Sequence, residues 1–223
     1  MIFNVFLYTL RFPLLYKEWL AEWRNPYQLG GLLSFLSAVC FLVYFFMGKP
    51  DPKSWNFMFW LVFLFLGFFA AARVFEEDNL KYRFYNLTLY KPLQLFWAKA
   101  LYLSGLLWSL GILLLLLMNI LAPIDNGWGL LWMPLLLLVS FGLAIMTCFT
   151  AFLSSHGNTR QLLMVVITLP LCFPLVGMAF SSSLLILQGT EVIPMVTKCI
   201  PIFAMDLLAI SLVLFILPLV WKN

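Results

Sequence analysis

The sequence predicts an all-α integral membrane protein with six transmembrane helices, preceded by an amphipathic helix in the membrane interface. Three observations support this fold class. The 223-residue chain is 64% hydrophobic and only 10% charged, and its mean hydropathy of +1.02 is typical of polytopic membrane proteins. Its apolar residues also fall into long runs, and a helix needs about 20 such residues to cross a hydrocarbon core of ~30 Å.

Six apolar runs are long enough to span a bilayer. Backbone groups in lipid must be hydrogen-bonded locally, which favours helices, and the sequence does not show the alternating segments of roughly ten residues that barrel strands require. The predicted spans are residues 29–47, 55–72, 100–121, 129–153, 161–187 and 199–221. Because the outer connections are short, we expect residues 1–223 to form a single transmembrane domain.

Residues 1–28 precede the first span and have an amphipathic pattern. Apolar and aromatic side chains recur at helical spacing from Phe12 to Trp23, while Glu18 and Glu22 lie off that stripe. The segment lacks the pattern of a cleaved signal peptide, and Pro26 should end its helix. It predicts an interfacial helix that either anchors the chain alone or also contacts a cytoplasmic subunit.

Lysine and arginine are distributed unequally between the two sides of the predicted bundle. The side opposite the N-terminus holds Lys49, Lys53 and Lys198. The side of the N-terminus holds Arg11, Lys17, Arg24, Arg73, Lys81, Arg83, Lys91, Lys99, Arg160 and Lys222. The positive-inside rule therefore places both termini and segment 73–99 in the cytoplasm. This bias explains the net charge of +4 without a nucleic-acid partner.

The segment 73–99 between the second and third spans concentrates charge in an otherwise apolar chain. Charge runs are often only solvated faces, but aromatic residues flank this one, as at protein interfaces. We therefore predict a cytoplasmic docking surface for a partner subunit, together with parts of the N-terminal helix and the turn before the fifth span. Its expected residues are Arg73, Phe75, Glu76, Glu77, Asp78, Lys81, Arg83, Glu18, Glu22 and Arg160.

The sequence gives little indication of catalysis. It contains no G-x-x-x-x-G-K-[ST] phosphate-binding loop and no metal-ligand spacing, so we expect a non-enzymatic subunit that binds neither cofactor nor metal itself. His156, the single histidine, lies in a polar turn, where an ordinary polar role is favoured over a haem or metal ligand. The four cysteines have no C-x-x-C spacing and are expected to be buried thiols.

Two features inside the predicted spans break the apolar pattern. Pro170 and Pro174 should kink the fifth span, and its excess length would be explained by a short helix re-entering the outer leaflet after Phe180. Asp206 is the one acid inside a span, which favours a functional role. The alternatives are a protonated acid or one bonded to Ser211 or a backbone carbonyl. On the predicted boundary it lies about 10 Å from the outer end of its helix, which weakens the case for a proton relay.

Three short patterns give the sequence a resemblance to a known family. Lys17-Glu18-x-x-x-Glu22-x-Arg24 resembles the opening of the CcmB family, the membrane subunit of the cytochrome c maturation ABC complex (haem exporter protein B). The later patterns are similar to family motifs at the corresponding spans. They comprise Arg73, Phe75, Asp78, Pro92 and Lys99, then Arg160, Leu163, Leu169, Pro170 and Pro174.

The resemblance implies a permease-like subunit with an ABC exporter fold. Its expected partners are a CcmA-like ATPase that binds the ATP, CcmC-like, CcmD-like and CcmE-like proteins, and the lipid bilayer. A second copy of the chain is a further candidate partner. The implied function couples ATP hydrolysis to haem handling, or to release of a haem-loaded chaperone, in cytochrome c-type biogenesis. Haem would be cargo of the complex. The alternatives are a secondary transporter or a non-transporting membrane scaffold.

Overall fold

Six long helices make up most of the described part of this chain. The computed structural model describes residues 19–20, 26–47, 50–76, 92–124, 129–154, 160–189 and 192–220. The helices are α1 (Pro26–Met47), α2 (Pro52–Glu76), α3 (Pro92–Leu121), α4 (Trp132–Ser154), α5 (Arg160–Leu187) and α6 (Val192–Val220). Each is long and apolar enough to cross a membrane. The predicted multi-pass helical fold with six candidate spans is therefore confirmed.

The helix starts follow local chemistry. Pro26, Pro52 and Pro92 each occupy the first position of their helix, where the missing N–H costs no hydrogen bond and the fixed φ suits the helix. Asp51 caps α2, because its carboxylate accepts a hydrogen bond from the backbone N–H of Ser54 at 3.4 Å. Hydrogen bonding from Ser54 lowers the pKa of this exposed carboxyl below its usual value.

Helix α4 is the centre of the bundle. It packs against α2, α3, α5 and α6, and 83% of its span is buried within the protein. Helix α1 lies at the periphery against α2 and α3, with only 17% of its span buried. The outer faces of α1 and α6 carry large exposed apolar side chains, such as Phe45 and Phe215, as expected for surfaces that face lipid.

Glycines allow two of the closest helix contacts. A Cβ at Gly67 of α2 would overlap Leu143 of α4, and a Cβ at Gly111 of α3 would lie 2.8 Å from the Phe63 ring of α2. Small residues permit such close approach between membrane helices, where packing replaces the hydrophobic effect as the main attraction. The first glycine allows α4 to approach α2 closely, and the second allows α3 to do so.

The alternating helices define two ends of the bundle. The charged end holds the starts of α1, α3 and α5 and the ends of α2, α4 and α6. The far end holds the ends of α1, α3 and α5 and the starts of α2, α4 and α6. These names describe only the fold, and the cytoplasmic position of the charged end stays a prediction.

Two helices begin seven or eight residues before the spans predicted for them. Helix α3 begins at Pro92, eight residues before the predicted span, so part of the predicted loop 73–99 is helical. Lys99 is 3% exposed there, in a segment covered by protein. Helix α6 begins at Val192 rather than at residue 199. In both cases a lysine interrupts the apolar run without interrupting the helix, and the exposed Lys198 can extend towards water along its aliphatic stem.

The predicted re-entrant helix after Phe180 is wrong. Helix α5 is continuous from Arg160 to Leu187 and includes both Pro170 and Pro174. It ends where Gly189 adopts a positive φ of 67° and donates its N–H to the carbonyl of Ile186 at 3.0 Å, a glycine C-cap. The extra length of the fifth span is therefore a longer helix, in which Ser182 and Ser183 form hydrogen bonds to neighbouring helices.

Candidate functional site

The predicted docking residues lie only partly within the described structure. Arg73, Phe75 and Glu76 belong to the last turn of α2, and Arg160 is the first residue of α5. These helix termini share the charged end of the bundle, so the fold brings the two parts of the predicted surface to one side. Outside the described residues lie Glu18, Glu22, Glu77, Asp78, Lys81, Arg83 and His156.

The N-terminal segment is described only at Trp19 and Leu20, which are helical. Both side chains are exposed, and the rest of the predicted interfacial helix before Pro26 lies outside the described residues. Residues 26–28 belong to α1, so the first membrane helix starts earlier than predicted. An anchoring role and a docking role both remain predictions.

Asp206 lies at the middle of α6. The helix runs from Val192 to Val220, which leaves 14 residues on each side of Asp206, or about 21 Å to each helix end. The predicted position about 10 Å from the outer end is therefore wrong, because that distance relied on a helix start at residue 199. The shallow position that weakened the case for a proton relay is therefore also wrong.

The carboxyl of Asp206 is buried without a hydrogen bond. The residue is 2% exposed, and neither Oδ1 nor Oδ2 has a hydrogen-bonding partner among the described residues. Ser211, considered as a partner from the sequence, is exposed and donates to the carbonyl of Leu208 in its own helix at 2.7 Å. Of the alternatives weighed from the sequence, a neutral, protonated acid fits this environment best.

Gly142 of α4 makes room for this carboxyl. A Cβ at position 142 would overlap Asp206 Oδ1 and would lie 3.0 Å from Asp206 Cγ and 3.2 Å from Leu175 Cδ2. The acid therefore occupies the space that a side chain on α4 would fill, at the centre of α4, α5 and α6. The sequence identified Asp206 as unusual but gave no indication of Gly142, whose role depends on helix packing.

A small apolar pocket of about 30 Å³ lies between α6 and residues of α4 and α5. On α6 it is lined by Met205, Leu208 and Ala209, which are close to Asp206 in sequence, but the acid itself does not line it. Leu208 is 52% exposed, so the pocket lies near the outer surface of the bundle and apart from the carboxyl.

A hydrogen-bonded cluster joins α2 to α5 near the far end. Asn56 donates to the carbonyl of Phe180 at 2.8 Å, and Ser183 donates to Asn56 Oδ1 at 2.7 Å. The Trp60 indole N–H donates to Ser183 Oγ at 2.7 Å. All three side chains are buried, and buried polar groups that satisfy one another specify a single packing arrangement. The cluster is structural and connects the two helices firmly.

Two further contacts tie α5 to its other neighbours. Ser182 lies 3.2 Å from the carbonyl of Lys198 in α6, and the hydroxyls of Thr150 in α4 and Thr168 in α5 share a short hydrogen bond. The first contact is near the far end, and the second is in the half of the bundle towards the charged end. Helix α5 is therefore connected to α2, α4 and α6 along its length.

The cysteines agree with their predicted burial. Cys40, Cys148 and Cys172 are buried and Cys199 is half-buried, and all four are free thiols.

A groove of about 290 Å³ between α2 and α5 is lined almost entirely by apolar residues, including Phe57, Phe173 and Gly177. Phe57 and Phe173 are exposed, so this groove lies on the outer surface of the bundle.

Comparisons with protein-family models, with curated proteins and with solved structures find no match to this chain.

Proposed function

We propose that this chain is the membrane subunit of an ATP-driven complex and binds a separate ATPase at its charged end. The observation that carries the proposal is the concentration of charge from the last turn of α2 to the first turns of α3. Segment 73–99 holds eight of the charged residues in a chain with 13 basic and nine acidic residues. Three consecutive acids, Glu76 to Asp78, begin this stretch, beside an otherwise apolar bundle.

The helices next to this charge are suited to transmit a force. Helix α2 ends at Glu76 and α3 begins at Pro92, so a protein bound between them would act on both helices. The cluster of Asn56, Trp60 and Ser183 connects α2 to α5 at the opposite end. Displacement of α2 would therefore be passed to α5, the kind of physical connection that coupling between distant sites requires.

The resemblance to the CcmB family supports the identity of the partner and the cargo. It points to a CcmA-like ATPase and to haem, or to a haem-loaded chaperone of the CcmE type, as the species whose handling the complex drives. In this proposal ATP stays on the partner. This chain supplies the membrane anchorage and the moving helices.

The docking proposal is tested by charge reversal. The combined change Glu76→Lys, Glu77→Lys and Asp78→Lys should lower recovery of a co-expressed CcmA-like ATPase in affinity purification by about tenfold or more, because removing matched charges from an interface typically costs several kcal/mol. Membrane insertion should be unchanged, since the changes lie at or beyond the end of α2.

Asp51→Lys is the matched control, because Asp51 is an exposed acid at the far end of the bundle. It should leave recovery of the ATPase unchanged. Equal recovery with the triple variant and with the unmodified chain would contradict docking at this segment. Loss of recovery with Asp51→Lys as well would show that the effect is not specific to the charged end.

One observation favours a second candidate function, ion-coupled secondary transport. Asp206 places a buried carboxyl at mid-helix, and acids at this depth occur in ion and proton pathways. Solute uptake by vesicles that contain the chain alone, driven by an ion gradient without ATP, would support this alternative. A requirement for ATP and the ATPase would favour the primary proposal.

A further inference from the structure

Asp206 lies on the buried stripe of α6. The stripe consists of Ile202, Asp206, Ala209, Val213 and Leu217. The four members besides Asp206 are aliphatic residues packed into the bundle. An aliphatic side chain at position 206 would also pack there without the cost of burying a polar group. A carboxyl at this place therefore contributes chemistry that the packing itself does not need.

The surroundings of the carboxyl favour its neutral form. Gly142 offers no side chain, and Leu175 presents a methyl group at the same point. Divalent cations such as Mg²⁺ and Ca²⁺ take six or more oxygen ligands, whereas a proton needs only one carboxylate oxygen. Burial without a hydrogen-bonding partner costs much more free energy for a charged carboxylate than for a neutral carboxylic acid. The species that best fits this site is a proton.

The basic groups of the packed helices are remote from Asp206 along the bundle. The ionisable residues of α3 to α6, besides Asp206, are Lys99, Tyr102, Cys148, Arg160, Cys172, Lys198 and Cys199. Lys99 and Arg160 belong to the charged ends of α3 and α5. Lys198 is exposed and eight residues from Asp206, about 12 Å along α6. The nearest turns of α4 and α5 present Gly142 and Leu175.

We propose that Asp206 is a proton-binding site in the middle of the membrane, and that its protonation state is coupled to the packing of α6 against α4. In the packed state the acid is neutral and fills the space at Gly142. On release the O–H bond breaks, its electron pair stays on the carboxylate, and the proton passes to water. The resulting charge requires that water reach the acid or that α6 move away from α4. Only 28% of the span of α6 is buried within the protein, so no described helix covers its outer side and blocks such movement.

This site does not depend on the ATPase proposal. An ATP-driven subunit has no need of a proton at mid-membrane, and a proton site is compatible with either candidate function. Asp206→Asn should leave recovery of the ATPase unchanged, because position 206 is far from the charged end. Failure of one proposal is therefore distinguishable from failure of the other.

The test is labelling with dicyclohexylcarbodiimide, which adds to protonated carboxyls in apolar surroundings and forms a stable acylurea without a leaving group. The full chain in phospholipid vesicles is exposed to the reagent over a range of pH, and the modified peptide is identified by mass spectrometry. Labelling is expected at Asp206. It should fall about tenfold for each pH unit once the acid begins to titrate.

Three variants make the result specific. Asp206→Asn should abolish the label, and Asp51→Asn, which removes an exposed acid but keeps a good helix cap, should leave it unchanged. Gly142→Ala should shift the pH at which labelling falls, because its Cβ displaces the carboxyl. The wild-type profile alone tests the proposal even if a variant fails to fold.

Three results would contradict the proposal or part of it. Absence of label at Asp206 at every pH would mean that the acid is not held neutral in an apolar site. Equal labelling across the whole pH range would mean a permanently protonated residue with only a packing role. An unchanged profile in folded Gly142→Ala would contradict the coupling to α4.

Discussion

At the scale of single residues, the polar side chains inside the bundle differ in how far they could be predicted from sequence. Asp206 was identifiable from sequence because one acid in an apolar run is conspicuous. Asn56 was not, since its partners Phe180 and Ser183 lie more than a hundred positions away along the chain. Such contacts arise from helix packing, which cannot be inferred from a single sequence.

The hydrogen-bonded cluster between α2 and α5 predicts a specific cost for Ser183→Ala. Loss of the hydroxyl leaves Trp60 without its acceptor and Asn56 without its donor. Hydrogen bonds between membrane helices average about 0.6 kcal/mol, so the variant should lose about 1 kcal/mol of stability or slightly more. Unfolding in mixed detergent micelles measures this difference.

Ser181→Ala is the matched control for that measurement. Ser181 donates only to the carbonyl of Met178 in its own helix, at 2.8 Å, so its removal should change stability by less than about 0.5 kcal/mol. Equal losses in the two variants would mean that the contacts from α5 to α2 contribute nothing of their own.

At the scale of the helices, apolar runs predicted how many there are, and local chemistry explains where they begin. The starts of α3 and α6 were misplaced because Lys99 and Lys198 look like loop residues in a hydropathy profile. A helix continues through a lysine that is covered by protein, as Lys99 is, or that extends to water, as Lys198 does. The misplaced start of α6 also gave Asp206 the wrong depth.

Close packing between α2 and α4 predicts that Gly67→Ala is destabilising. Its Cβ would overlap Leu143, and overpacking a membrane core of this kind should cost about 1–3 kcal/mol. Gly105→Ala is the control, because a Cβ at position 105 meets nothing within 4 Å. Unfolding of the two variants in the same micelles separates packing from helix propensity, and equal stabilities would contradict the close contact.

At the scale of the whole molecule, the sequence predicted the order of six antiparallel spans but not their arrangement. The most buried helix is α4, while α1 and α6 face outwards over most of their length. Because every span is strongly apolar, hydropathy gives little distinction between a helix covered by protein and one covered by lipid. The predicted docking surface is described only in part. Its residues in α2 and α5 lie at the charged end, and its remaining residues lie outside the described structure.

We propose above all that an ATPase binds this bundle at its charged end. The most direct test is ATP hydrolysis by a CcmA-like ATPase reconstituted in vesicles with this chain. We expect the chain to raise the hydrolysis rate and the triple charge reversal at Glu76, Glu77 and Asp78 to abolish that increase, with Asp51→Lys unaffected. A rate that is the same with and without the chain would contradict the claim.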